Sequence, residues 1–158
     1  MTETLIDPRD YAGAKARFGL DVVQARIPHR HEMGLLHGIL DVDNAAGQVV
    51  GFHDSRPTDF WVRGHLPGRP LMPGVVMVET AAQLCAWLAH DLLVPPPGKF
   101  FGFGGIDEVR FRGQVVPGDR LIVVSRVLRL RRALGIFRTQ GFVRDELVYE
   151  GRVTGAMV

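Results

Sequence analysis

From Val75 to Leu93 the chain is apolar at nearly every position: Val75, Val76, Met77, Val78, Ala81, Ala82, Leu84, Cys85, Ala86, Leu88, Ala89, Leu92 and Leu93. A helix with apolar residues all round is buried all round. At about 1.5 Å per residue it would run roughly 28 Å, enough to cross a small domain. Glu79, Gln83, His90 and Asp91 interrupt the run, which favours a buried soluble helix over a membrane span. Pro73 and Gly74 stand where the helix should start, and Pro95-Pro96-Pro97-Gly98 where it should stop. Pro67, Pro70 and Pro73 each fix φ and bias the residue before them towards extended geometry, so residues 64–73 are expected to form a stiff, extended approach.

Elsewhere the pattern is that of strands. Residues 34–43 read as a strand, Asp43 to Gly47 as a turn, and residues 48–54 as its hairpin partner. Beyond the helix, Phe100–Phe111, Leu121–Leu130, Ile136–Arg144 and Leu147–Met157 read as four more strands. Turns at Val116–Asp119, Arg131–Gly135 and Asp145-Glu146 separate these four. Strict alternation in the last strand puts Leu147, Tyr149, Gly151 and Val153 on one face and Val148, Glu150, Arg152 and Thr154 on the other. Residues 1–19 begin polar and irregular. A short helix is expected within Tyr11–Leu20, weakened by Gly13 and Gly19, and Ile27-Pro28 ends whatever precedes it. The order is strand, strand, long helix, four strands. This predicts an α+β domain spanning residues 1–158, with an antiparallel sheet wrapped around one buried helix. Its open sheet edges and uncovered helix side predict a symmetric homodimer.

Composition narrows the chemistry. Hydrophobic residues make up 46% and charged residues 23%, as in an ordinary soluble globule, and a net charge of +2 makes no case for nucleic acid. Cys85 is the only cysteine, so there is no disulfide framework and no cysteine-based zinc site; it reads as a buried filler. The start, MTETLIDPRD, lacks a basic stretch followed by an apolar core, so a cytoplasmic location is expected. Gly102, Gly104 and Gly105 lack the spacing of a dinucleotide fingerprint and precede no helix.

One residue of the apolar run is out of place. Glu79 lies in the early turns, where a carboxylate must find a partner, take a proton or serve a purpose. Gln83 is one turn on, on the same face, and is placed to hold it. His65 opens the proline segment. His29 and His31 have a ligand-like spacing, but no carboxylate or third histidine is grouped with them; a cavity-lining or solvated basic loop is the alternative. Phe60 and Trp61 suit either an apolar tunnel wall or ordinary core packing.

Residues 64–83, GHLPGRPLMPGVVMVETAAQ, closely resemble the signature of the bacterial (3R)-hydroxyacyl-[acyl carrier protein] dehydratases of fatty acid synthesis. Ile27-Pro28-His29-Arg30 resembles that family's Leu-Pro-His-Arg segment. Gly105–Arg112 and Val115–Asp119 resemble its downstream segments. The resemblance implies the hot-dog fold, a dimer able to associate further as a trimer of dimers, and catalysis without metal, flavin or nucleotide. It matches His65 and Glu79 to the catalytic pair, which in the family face each other from opposite subunits. It matches Gly74 to the glycine whose N–H points at the thioester carbonyl, and Gln83 to the glutamine that supports the carboxylate. The sequence departs from the family at His31-Glu32-Met33, at Leu36–Ile39 and at Pro57–Val62, around the expected tunnel. Met33, Phe60 and Trp61 are therefore candidates for its lining.

The implied reaction needs a base for the C2 proton and an acid for the C3 hydroxyl. A neutral histidine suits the first, and a desolvated glutamic acid the second. An amide at a helix N-terminus suits the charge that develops on the thioester oxygen. The family's carrier protein is acidic, and positive charge concentrates late in the chain, at Arg110, Arg112, Arg126, Arg129, Arg131, Arg132 and Arg138. Two rivals remain open: a hot-dog thioesterase that activates water, and a non-catalytic acyl-binding or assembly subunit.

Overall fold

The computed structural model describes residues 2–158. Six strands form one antiparallel sheet: β1 (Gly38–Asp43), β2 (Gln48–Asp54), β3 (Phe101–Phe111), β4 (Arg120–Arg131), β5 (Leu134–Val143) and β6 (Glu146–Met157). Their order in space is β1-β2-β4-β5-β6-β3, which leaves β1 and β3 as the edges. Helix α2 (Gly74–Leu93) lies against the sheet, and the arrangement is the expected hot-dog fold. α2 ends where Val94 enters the left-handed region at φ 46°, its N–H donating to the His90 carbonyl at 2.9 Å. Pro95 bars Val94 from right-handed helix, so the cap falls on a residue that pays a steric cost for it.

Both faces of the sheet are covered. In β4, Leu121 and Val123 pack towards α2 together with Val49, Phe137, Tyr149 and Val153. Ile122 and Val124 pack on the opposite face with Val50, Phe52 and Phe142. This is why Leu121–Val124 reads as a continuous apolar run with only weak alternation. The cover on the far side is the N-terminal segment, whose Leu5 and Ile6 are buried there. Polar clamps hold it. Gln140 accepts from the Leu5 N–H at 2.7 Å and donates to the Glu3 carbonyl at 3.0 Å, Arg126 donates to the Leu5 carbonyl at 3.2 Å, and Arg120 to the Ala14 carbonyl at 2.9 Å.

Three local expectations need correction. The short helix is not within Tyr11–Leu20: a 3-10 turn covers Pro8–Tyr11, and α1 occupies Leu20–Arg26. Its seven residues include the β-branched pair Val22-Val23 and carry no side-chain cap, so propensity gives little warning of it. The face assignment in β6 breaks at its start. The register slips between Gly141 and Phe142, so that Val148 joins Tyr149 in the core beside α2 while Leu147 packs with the opposite cluster. A bulge adds one residue and turns everything on one side of it over. The approach segment also folds back, as described below.

Among the described residues no helix is long and apolar enough to cross a membrane. Cys85 is fully buried, its Sγ 3.1 Å from the Ser125 hydroxyl, and burial pushes its thiol up to about 12.

Candidate active site

His65 sits at the end of a compact loop. The Val62 N–H donates to the Asp59 carbonyl at 3.1 Å and the His65 N–H to the Trp61 carbonyl at 2.7 Å. Leu66-Pro67-Gly68-Arg69 then makes a turn closed by the Arg69 N–H on the Leu66 carbonyl at 2.8 Å. Gly68, at φ 80°, occupies the position where such a turn needs a residue free to enter positive φ, and Pro67 precedes it. The segment is rigid as expected, but reversed rather than extended. The reversal brings the Leu71 carbonyl to 2.7 Å from His65 Nδ1. A carbonyl only accepts, so Nδ1 carries the proton, and the neutral ring keeps an open lone pair on Nε2.

At the head of α2 the Pro73 carbonyl accepts from the Val76 and Met77 N–H groups at 2.9 and 3.3 Å. The Gly74 N–H meets no acceptor among the described residues, as the first amides of a helix do unless something caps them. The ring of Phe111, on edge strand β3, lies over Gly74. A Cβ there would stand 2.6 Å from it, so any larger residue has to push that half-exposed ring aside.

Glu79 is a turn and a half further on, with its side chain 26% exposed rather than sealed in the core. Gln83 braces it. The Gln83 Nε2 donates to Glu79 Oε1 at 3.0 Å and to the Met33 carbonyl at 2.7 Å. Its Oε1 accepts from the Leu35 and Leu36 N–H groups at 3.1 and 3.2 Å. Both donors and both lone pairs of this buried amide are spoken for, which fixes which end faces the carboxylate. His29 adds a contact that sequence reasoning left as one loop option among several. Its Nε2 lies 3.4 Å from Glu79 Oε1, and burial lowers its basicity. Its position just after Pro28 was the available signal.

Glu79, His29 and Gln83 line a cleft of about 120 Å³ whose apolar wall comes from Phe100, Phe101, Phe103 and Phe137. Met33, Phe60 and Trp61 do not line this cleft within the chain. Met33 offers its carbonyl to Gln83 while its side chain is exposed, Trp61 is in the core, and Phe60 is half exposed. Two of these rings, Phe101 and Phe103, come from β3, where the glycine-rich spacing disguised them, and Phe137 comes from β5.

Glu79 and His65 do not bond each other within one chain: the Glu79 carboxylate is engaged by Gln83 and His29, and His65 Nδ1 by Leu71. The arginines divide. Arg112 is paired with Glu150, and Arg126 and Arg138 hold the N-terminal segment, so these three are structural. Arg110 is exposed and bonds only its neighbour's carbonyl, while Arg131 and Arg132 stand exposed at the β4–β5 hairpin with no ion pair among the described residues. No three His, Cys, Asp or Glu side chains among the described residues gather as a metal site would require.

A FabA-like domain model matches residues 27–152. The 3-hydroxyacyl-[acyl-carrier-protein] dehydratase FabZ of Moorella thermoacetica is 36% identical over 137 residues, covering 87% of this chain and 94% of the relative. That of Pelotomaculum thermopropionicum is 38% identical over 140 residues, covering 87% and 99%. Among solved structures, the dehydratase heterocomplex ApeI:P of Xenorhabdus doucetiae superposes with a TM-score of 0.70 at 16% identity, over 86% of this chain and 90% of that one. A hypothetical thioesterase with coenzyme A from Streptococcus pneumoniae gives 0.59 at 11% identity, over 76% and 84%. These two likenesses speak for the fold alone. The family match runs through both segments that position His65 and Glu79, and the chain belongs to the FabA-like family of 3-hydroxyacyl-[acyl carrier protein] dehydratases.

Proposed function

We propose that this protein, as one hot-dog unit, removes water from a (3R)-3-hydroxyacyl thioester on acyl carrier protein, giving the trans-2-enoyl thioester. The observation that carries this reading is the bond from His65 Nδ1–H to the Leu71 carbonyl, 2.7 Å long, which leaves Nε2 as a ready base. His65 takes the C2 proton, and the electron pair of that bond becomes the C2–C3 double bond. The C3–O bond breaks, and Glu79, in its acid form, gives the departing hydroxyl the proton that makes it water. Between these events charge gathers on the thioester oxygen, where the open Gly74 N–H and the positive end of α2 are suited to receive it. Exchange with solvent returns the proton from His65 and restores the acid form of Glu79.

The site is completed by a second copy of the chain. β3 is an edge strand with exposed Phe103, Ile106 and Phe111, and its first residues wall the Glu79 cleft. A partner strand seated along β3 covers that apolar edge and brings the partner's loop to the cleft. Arg110, Arg129, Arg131 and Arg132 are the basic side chains of the late cluster left for an acidic carrier in the cytoplasm.

The test is to supply a (3R)-3-hydroxyacyl thioester on the carrier and follow the products. The conjugated enoyl thioester is expected; release of free carrier thiol would instead make the protein a thioesterase, and no turnover would leave it a binding subunit.

A further inference from the structure

We propose that the buried pair His53–Asp59 is a positioning device that holds both catalytic side chains in place; this rests on the function proposed above. The His53 side chain is 2% exposed and that of Asp59 17%. His53 Nδ1 lies 2.8 Å from the Leu35 carbonyl and Nε2 lies 3.1 Å from Asp59 Oδ2. The carbonyl can only accept, so Nδ1 carries a proton, and the Nε2–carboxylate contact takes the other. The ring therefore ties two separate pieces of chain together.

Each piece leads to one catalytic group. From Leu35 the path is short: the Leu35 and Leu36 N–H groups donate to Gln83 Oε1, and the other end of that amide donates to Glu79. From Asp59 it is equally short. Its carboxylate accepts from the Arg56 N–H at 3.1 Å and its carbonyl from the Val62 N–H at 3.1 Å, while the Trp61 carbonyl accepts from the His65 N–H at 2.7 Å. Asp59 thus shapes the loop that ends on His65. A displacement of the His53 ring moves the brace of the acid and the loop of the base together.

The surroundings argue against a simple filler. His53 is buried opposite Leu121 in the ladder, beside the apolar pair Phe52–Ile122, where an aliphatic side chain would pack at no electrostatic cost. His37 stacks on His53 at 4.4 Å, with its Nδ1 accepting from the Asp54 N–H at 2.9 Å, so that nitrogen is unprotonated. Burial, and then the neighbouring His53, push His37 down to about 4, so it stays neutral and does not compete for Asp59. The pair lies within and beside Pro57–Val62, a stretch where this sequence departs from the family pattern.

The experiment uses the full chain with a 3-hydroxyacyl thioester on acyl carrier protein, and reads kcat, KM and melting temperature. Failure of the wild type to form the enoyl product would sink the functional reading itself. With an active wild type, Asp59→Ala is expected to lower kcat about tenfold or more, with KM within about twofold, as small misplacements of reacting groups do. Asp59→Asn, whose amide oxygen in the place of Oδ2 can still accept from His53 Nε2 and from the Arg56 N–H, is expected to regain most of that loss. Wild-type kcat in folded Asp59→Ala overturns the proposal. So does an equal loss in folded Asp59→Asn, since charge and not geometry would then be at work. Where Asp59→Ala does not fold, His53→Asn decides: its amide keeps the Leu35 bond and loses Asp59, and an unchanged kcat overturns the proposal.

Discussion

The two side chains proposed as catalytic are held in opposite ways. His65 is fixed by main chain, through the Trp61 carbonyl on its N–H and the Leu71 carbonyl on its ring. Glu79 is fixed by side chains, through the Gln83 amide and the His29 ring. Main-chain bonds survive almost any substitution, so the base is as rigid as the proline turn that presents it. The acid depends on what residues 83 and 29 are. A carboxylate that must give up a proton and regain it gains from partners that can adjust, whereas a base whose tautomer must never change gains from partners that cannot.

The contrast can be tested by substitution, beginning with the largest expected effect. His65→Ala removes the base and should lower kcat by about a thousandfold or more without lowering the melting temperature, measured by enoyl formation and thermal denaturation. Glu79→Gln keeps the shape and the Gln83 neighbour but cannot supply the proton, and a loss of about a hundredfold is expected. Gln83→Ala should separate the arms. It strips the partners from the Leu35 and Leu36 N–H groups and the Met33 carbonyl, costing on the order of 3 kcal/mol in denaturant titration. It should lower kcat about tenfold by freeing Glu79, yet leave the bond from His65 Nδ1 to the Leu71 carbonyl in place, as NMR of the His65 ring would read. Loss of that bond would mean that Gln83 holds the base as well as the acid.

The smallest effect concerns pH. His37 is held near 4 by burial, whereas the unfolded chain takes up its proton near 6.5. The unfolded state then binds more protons between these values, so stability should fall as pH drops from about 6.5 towards 4 and level off below. His37→Asn, which can still accept from the Asp54 N–H, should flatten that part of a melting-temperature profile.

The sequence made α2 and its neighbouring strands legible because each rests on a local pattern, an unbroken apolar run and period-two strands; the Glu79–Gln83 bond follows from a spacing of one turn, while His65 bonds Leu71 and not Glu79 within the chain. What escaped depends on contacts distant in the chain. Leu5 and Ile6 are two apolar residues in a polar stretch, and nothing near them announces that Gln140 and Arg126 will clasp the Leu5 main chain and Arg138 the Glu3 carbonyl. Read along the sequence, those arginines look like free charge for a partner. The bulge at Val148 is invisible for the same reason, because alternation cannot count a residue that has no opposite number. The cleft wall was missed because Phe101 and Phe103 alternate with glycines, and a glycine-rich stretch gives no sign that its rings converge.

The pairing of Val158 with Phe100 has a further consequence. The two exchange both main-chain hydrogen bonds, at 3.1 and 3.0 Å, and Phe100 is part of the cleft wall. The aromatic wall is therefore anchored by main chain where the β3–β6 pairing ends, and a substitution that loosens Val158 would loosen that wall without touching Glu79, His29 or Gln83.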